Sequence, residues 1–363
     1  VQTCALPILP GESENLSDLI FSNLQLSKGP KVVVIGGGTG LSVMLRGLKA
    51  KTYNLTAVVT VADDGGSTGR IRQDLDIIAP GDLRNCLVAL ADKEGLMEKL
   101  FAHRFGGSGN LTGHSFGNLF IAALIEVLGD VEEAMDATSK VLRVRGKVIP
   151  SSAEKIRLNA EMTDGRIVEG ESQIPHAHGK IKRVFTTPEH PKAIQSAVRA
   201  IQEADAIVLG PGSLYTSIMP NLCVPDIVQA VRTSKAPKIY ICNVMTQPGE
   251  TDDYTVSDHV KAINRQAGGR VIDFVIANNG DVDPVVLQRY VATGSHPVII
   301  DKKEVSQAGA TLILSDLINK ENSATHDTKK LANVLFDLIN ALRTDLSPEL
   351  LHYYLKRYTF THR

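Results

Sequence analysis

The run Gly36-Gly37-Gly38-Thr39-Gly40 closes a β-branched stretch and opens a helical pattern. At such a junction, backbone N–H groups and the positive end of the helix converge where a phosphate can sit, and glycine permits close approach. The spacing satisfies Gly-x-Gly, but Leu41 or Val43 stands where a dinucleotide fingerprint has its third glycine, so the signal is for phosphate rather than nicotinamide. Far along the chain, Gly210-Pro211-Gly212-Ser213-Leu214-Tyr215-Thr216-Ser217 follows a second buried run and adds the hydroxyls of Ser213 and Thr216. Either loop alone can be a plain tight turn. Two of them in separate halves of one sheet point to a shared crevice, because strand ends in open α/β sheets meet there.

Between them lie further polar stretches. Asp63-Asp64-Gly65-Gly66-Ser67-Thr68-Gly69-Arg70 sets two carboxylates beside hydroxyls and an arginine, a combination suited to a metal, ribose hydroxyls and phosphate. Adjacent acids on a strand face opposite ways, so one of Asp63 and Asp64 takes the ligand role and the other orients it, and both are candidates for catalysis. Gly66 and Ser67 complete this loop. Pro80-Gly81-Asp82-Leu83-Arg84-Asn85 reads as a turn into a helix, with Asp82 as N-cap and Arg84 free to point at a ligand. Gly113-His114-Ser115-Phe116-Gly117-Asn118 opens another helix, and His114 and Asn118 give it a donor-rich edge. A Ser-His nucleophile pair there lacks a third member, which argues against hydrolysis. Asn243-Val244-Met245-Thr246-Gln247-Pro248-Gly249-Glu250-Thr251, with Asn243 and Thr246 as the candidate ligand contacts, and Asn278-Asn279-Gly280 occupy strand-end positions suited to reading a base or sugar, and Tyr290 and His326-Asp327 carry less weight.

These residues need a scaffold. Lys31 to Ile35, Leu55 to Val61, Ala206 to Leu209, Lys238 to Cys242 and Val271 to Ala277 read as strands buried on both faces. Helical patterns run over Leu41 to Leu48, Leu96 to Phe105, Phe116 to Leu128, Val131 to Leu142, Ala193 to Glu203, Ile227 to Ser234, Val256 to Asn264 and Lys329 to Leu342, with a lead-in helix or linker at Ser13 to Leu26. Lys155 to Glu161 and Ile167 to Glu171 flank Thr163-Asp164-Gly165-Arg166 as a β-hairpin. The expected fold is α/β: a Rossmann-like, doubly wound, mostly parallel sheet with an inserted helical region and a small hairpin excursion. Residues 31–342 form one nucleotide-binding domain, residues 1–30 an N-terminal extension whose first eight residues read as non-native sequence, and residues 343–363 a tail.

Of the 363 residues, 43% are hydrophobic and 22% charged, enough to bury a large core. A net charge of −1 supplies no general attraction for nucleic acid or an anionic membrane, so phosphate recognition must be local. No run of about twenty apolar residues suits a membrane span. Four dispersed cysteines suit a reducing compartment, the cytoplasm.

Taken in order, Ile35 to Gly40 with Asp63-Asp64-Gly65-Gly66, Pro80 to Asn85, Gly113 to Asn118, Arg145-Gly146-Lys147-Val148, Gly210 to Ser217 and Asn243 to Thr251 closely resemble the bacterial gluconeogenesis factor family, relatives of 2-phospho-L-lactate transferase. The resemblance covers about Pro30 to Leu342. It implies a Rossmann-like core, a cytoplasmic location, a role in growth on gluconeogenic carbon and in cell shape, and binding of UDP-N-acetylglucosamine with no cofactor required. Partners implied are cell-wall synthesis proteins, and a homo-oligomer is compatible. In the transferase branch the same pocket joins a phospholactyl group from a guanylylated donor to a deazaflavin precursor with a divalent metal such as Mg²⁺. By matching motif, Asp63 would be the metal or acceptor-side acid, Asn85 a pocket amide, Gly210 to Ser217 the phosphate loop, and Tyr290 a neighbour of the uracil. Thr325 stands where the family often has a basic residue before its His-Asp pair. Arg145 to Val148 and Asn243 to Gln247 favour the regulator branch over the transferase, by fold-level analogy.

Overall fold

β1 (Val32–Gly36) is buried along its whole length, as a strand covered on both faces must be. In the computed structural model, which describes residues 23–92, 95–319 and 323–344, it pairs in parallel with β2 (Leu55–Val59), and β2 with β3 (Lys147–Pro150). β4 (Arg157–Met162), β5 (Ile167–Glu169) and β6 (Ile181–Thr187) leave this sheet and form an antiparallel one of their own in the order β5-β4-β6. The chain then returns to the other side of β1 with β7 (Ala206–Leu209), and continues outward through β8 (Lys238–Ile241), β9 (Phe274–Asn278) and β10 (Thr311–Ser315). Among the described residues the main sheet thus runs β10-β9-β8-β7-β1-β2-β3, parallel throughout.

That order decides where a ligand can bind. Winding proceeds from β1 toward β3, then resumes from β7 in the opposite direction, so the switch point lies between β1 and β7. Helices leaving the two strands diverge there and open a crevice at their carboxyl ends. The two glycine loops follow β1 and β7 and flank it. Gly210 N–H donates to the Ile35 carbonyl at 2.9 Å, and the buried Asn221 amide reaches across to the Gly36 carbonyl at 3.2 Å while also holding Ser217 O at 2.9 Å.

The expected α/β architecture is the observed one. Helices 38–48, 96–102, 116–128, 131–142, 195–202, 225–233, 256–266 and 328–343 lie where the periodicity placed them. Differences fall where local signals are weak. The hairpin is a three-stranded sheet, because β6 pairs along β4, and Glu171 opens a 3-10 turn (Glu171–His176) instead of ending a strand. Helix Gly66–Leu75 occupies what reads as an open loop. Helices Pro284–Ala292 and Lys302–Gln307, and edge strands β3 and β10, were not anticipated either. The lead-in helix expected over Ser13 to Leu26 falls mostly outside the described residues, of which 23–27 are helical, and residues 1–22 and 345–363 lie outside them altogether.

Candidate functional site

A cavity of about 860 Å³ occupies the crevice, within the range of pockets that take drug-sized ligands. Its floor is made by the two glycine loops. Gly38, Thr39 and Gly40 begin helix Gly38–Leu48, whose N-cap position is Gly37, with no side chain capping it and no acid in its first turn. Gly212, Ser213 and Thr216 come from the second loop, which passes into a π-helical turn (Leu214–Ile218). Such turns are rare and often mark functional positions. The loops press together closely enough that a Cβ on Gly40 would lie 2.9 Å from the Pro211 carbonyl oxygen.

Side chains from the β8 end shape the second loop. The Asn243 amide donates to Gly212 O at 3.0 Å, and Gln247 Nε2 donates to Ser213 Oγ at 2.7 Å. Behind Thr216 sits Glu250, whose Oε1 accepts the Thr216 hydroxyl at 3.1 Å and whose Oε2 accepts the Tyr215 N–H at 3.3 Å. Burial pushes Glu250 up to about 7. Thr246 lines the cavity, but its Oγ1 accepts His296 N–H at 2.9 Å, so it also ties two loops together. Tyr290, half-buried on helix Pro284–Ala292, forms the far wall with His326, whose ring burial holds at about 4 and therefore neutral. One ring nitrogen donates to the Cys242 carbonyl, leaving Nε2 buried without a protein partner.

The acidic wall consists of Asp63, Asp82 and Glu171. Asp63 follows β2 and bends back on itself, its Oδ1 accepting Gly65 N–H at 2.9 Å. Half-buried Arg72 fixes this bend, donating to Ala62 O at 3.2 Å, Asp63 O at 2.9 Å and Ile156 O at 2.7 Å. Asp64 turns the opposite way and accepts Ser172 N–H at 2.8 Å, which anchors the turn that carries Glu171. Asp82 is not the helix cap expected; Pro80 holds that position, and the Asp82 carboxylate accepts the Gly38 N–H. Burial, then the charge of Asp63, raises Asp82 to about 6; burial, then Asp63 and Asp64, raises Glu171 to about 8. Arg72→Met keeps the stem and removes all three hydrogen bonds, so it should cost about 1.5–3 kcal/mol, read as a lower urea midpoint at unchanged slope.

Sequence-expected residues divide accordingly. Gly38, Thr39, Gly40, Asp63, Gly212, Ser213, Thr216, Asn243, Thr246 and Tyr290 meet on the cavity. Gly37 and Gly210 lie just behind it as backbone, and Asp64 supports it from outside. Gly66, Ser67, Arg84, Asn85, His114 and Asn118 do not line it. Ser67 Oγ instead meets His114 Nδ1 at 3.2 Å and Asn118 Nδ2 at 3.3 Å, joining helix Gly66–Leu75 to helix Phe116–Leu128, which Ser115 caps. Arg84 is buried over Gly117 and bonded to Asn85 Oδ1 at 2.6 Å. Ser67, His114 and Asn118 thus meet between helices and Arg84 meets its neighbour on the same helix, while Arg84 Nε and Asn118 Oδ1 stay buried without a protein partner. Glu171 carries no signal in the sequence, and Gln247 and Glu250 stand out there only as members of the strand-end stretch Asn243 to Thr251.

With the geometry in place, comparison with known proteins is informative. Residues 32–318 match the family model described as 2-phospho-L-lactate transferase CofD. The chain belongs to this family. It is 50% identical over 315 residues to the gluconeogenesis factor of Bacillus subtilis (strain 168), an alignment covering 86% of this chain and 99% of the relative. The gluconeogenesis factor of Halalkalibacterium halodurans is 49% identical over 312 residues, covering 85% and 97%. A crystal structure of a Bacillus halodurans protein superposes with a TM-score of 0.83 at 48% identity, covering 85% of this chain and 99% of that one. Within the CofD family the chain therefore groups with proteins named gluconeogenesis factors. Among the described residues, no helix is long and apolar enough to cross a membrane.

Proposed function

We propose that this chain binds UDP-N-acetylglucosamine in the crevice and acts as a non-catalytic regulator in the cytoplasm, coupling growth on gluconeogenic carbon to cell-wall synthesis and cell shape. The observation that carries this reading is the form of the cavity: two glycine loops at the switch point for a diphosphate, and Tyr290 with neutral His326 beyond them for the remainder of a nucleotide-sugar. No cofactor is needed for binding of this kind. A thermal-shift panel tests it, since a ligand that binds only the folded state raises its melting temperature by mass action. UDP-N-acetylglucosamine is expected to give a larger shift than NAD or GDP at equal concentration; an equal or larger shift with NAD or GDP reverses the ranking.

The second reading, a 2-phospho-L-lactate transferase, draws support from Asp63 and Asp82 on one wall and from the family description. Among the described residues no group of three or more His, Cys, Asp or Glu is placed to hold a metal alone. Mg²⁺ commonly uses one or two carboxylates plus waters and substrate phosphates, and the Asp63–Asp82 pair fits that pattern. In that case the cation would neutralise phosphate charge, while the glycine loops would hold the donor. The relatives named gluconeogenesis factors favour the first reading.

A further inference from the structure

Glu250 stands behind the second glycine loop, and its two oxygens are not equivalent. Oε2 accepts the Tyr215 N–H, a backbone donor that cannot reverse. Oε1 faces Thr216 Oγ1 at 3.1 Å, and a hydroxyl has a single proton to give. When Glu250 is ionised, Thr216 must spend that proton on Oε1 and turns only lone pairs toward the cavity, where they repel a phosphate oxygen. When Glu250 is protonated at Oε1, the carboxyl donates to Thr216, whose own proton is then free to donate to the ligand.

We propose that Glu250 is a positioning residue through which diphosphate binding at the glycine loop takes up one proton, relayed by the Thr216 hydroxyl. This rests on the nucleotide-sugar reading of the site and adds a regulatory property to it. The surroundings suit such a switch: Glu250 is 5% exposed, and burial holds its proton to about pH 7. Two titratable groups face it, Tyr215 from the π-helical turn and Glu171 from the 3-10 turn whose Pro175 packs on Gly249. Tyr215 stays protonated throughout the working range, its hydroxyl bonded to that of Tyr254 at 2.6 Å. Glu171 and, on the cavity wall at the first glycine loop, Asp82 have raised pKa values of about 8 and about 6, and both have to be removed from the test. The diphosphate diester is fully ionised throughout this range and the uracil N3–H is common to every variant, so proton uptake that Glu250→Gln removes belongs to the protein.

The experiment is calorimetric titration of UDP-N-acetylglucosamine into the full chain carrying Glu171→Gln and Asp82→Asn, from pH 6.5 to 8.5 in buffers of different ionisation enthalpy. Above pH 7 the dissociation constant is expected to weaken by nearly tenfold per pH unit, with close to one proton taken up at pH 8.5. Adding Glu250→Gln, whose amide donates to Thr216 at every pH, should abolish both the slope and the uptake. Thr216→Val, which leaves Glu250 in place, should bind more weakly and with a flat profile. Tight binding without a pH slope, or a slope that survives either substitution, overturns the proton relay while leaving nucleotide-sugar binding standing. Absence of binding at every pH overturns both.

Discussion

Gly40→Val is expected to weaken nucleotide-sugar binding by more than about tenfold and to lower stability by about 1–3 kcal/mol, the usual cost of overpacking a closely packed site. A Cβ at position 40 would fall 2.9 Å from Pro211 O and 3.3 Å from Gly212 N, so the two loops cannot keep their separation. Both walls of the phosphate floor move together. Gly106→Ala is the matched control, because a Cβ there meets nothing within 4 Å and should change neither affinity nor melting temperature. An unchanged dissociation constant in the Gly40→Val protein would mean that the contact between the loops does not shape the ligand site.

Asp63→Asn is expected to flatten the pH dependence of stability and to weaken binding. A carboxyl whose folded pKa is raised keeps its proton longer in the folded state. Its contribution to stability is therefore full below the ordinary carboxyl range and is lost as pH rises through about 6 for Asp82 and about 8 for Glu171. Apoprotein should accordingly lose stability from pH 5 to 8. After burial, Asp63 is the next cause of both shifts, so neutralising it should flatten this slope. Binding of UDP-N-acetylglucosamine should meanwhile weaken by about 1–3 kcal/mol through loss of an anionic acceptor on the cavity wall. Paired melting curves and titrations at pH 5 and 8 separate the two effects. Transfer of a phospholactyl group to a deazaflavin acceptor, detectable in the wild type and lost in Asp63→Asn, would instead support the transferase reading.

The phosphate floor was legible because strand, glycine run and helix follow one another in the chain, and the topology then brings two such units to one switch point. Polar residues at helix starts were less informative. Ser67, His114 and Asn118 look alike whether they face a ligand or another helix, and only tertiary packing turns them toward each other. Helix Gly66–Leu75 was hidden by its own composition, with glycines at 66 and 69 and few apolar residues; Arg72, bonded to three distant carbonyls, helps hold it in place. The start of helix Pro284–Ala292 did carry a signal, since Pro284 sits in its first turn and Asp283 accepts from Val285 N at 2.8 Å. Glu171 had none: it reaches the cavity because Asp64 anchors its turn, a contact between residues 108 apart in sequence.

On the proposed reading, the crevice binds a nucleotide-sugar without a metal. Calorimetric titration of UDP-N-acetylglucosamine into the wild-type chain, with all divalent cations chelated, tests it most directly. A saturable one-to-one isotherm, unchanged when Mg²⁺ is restored and lost in Gly40→Val, is the expected result. An absence of binding under chelation that Mg²⁺ reverses, or binding that survives Gly40→Val at full strength, would contradict it.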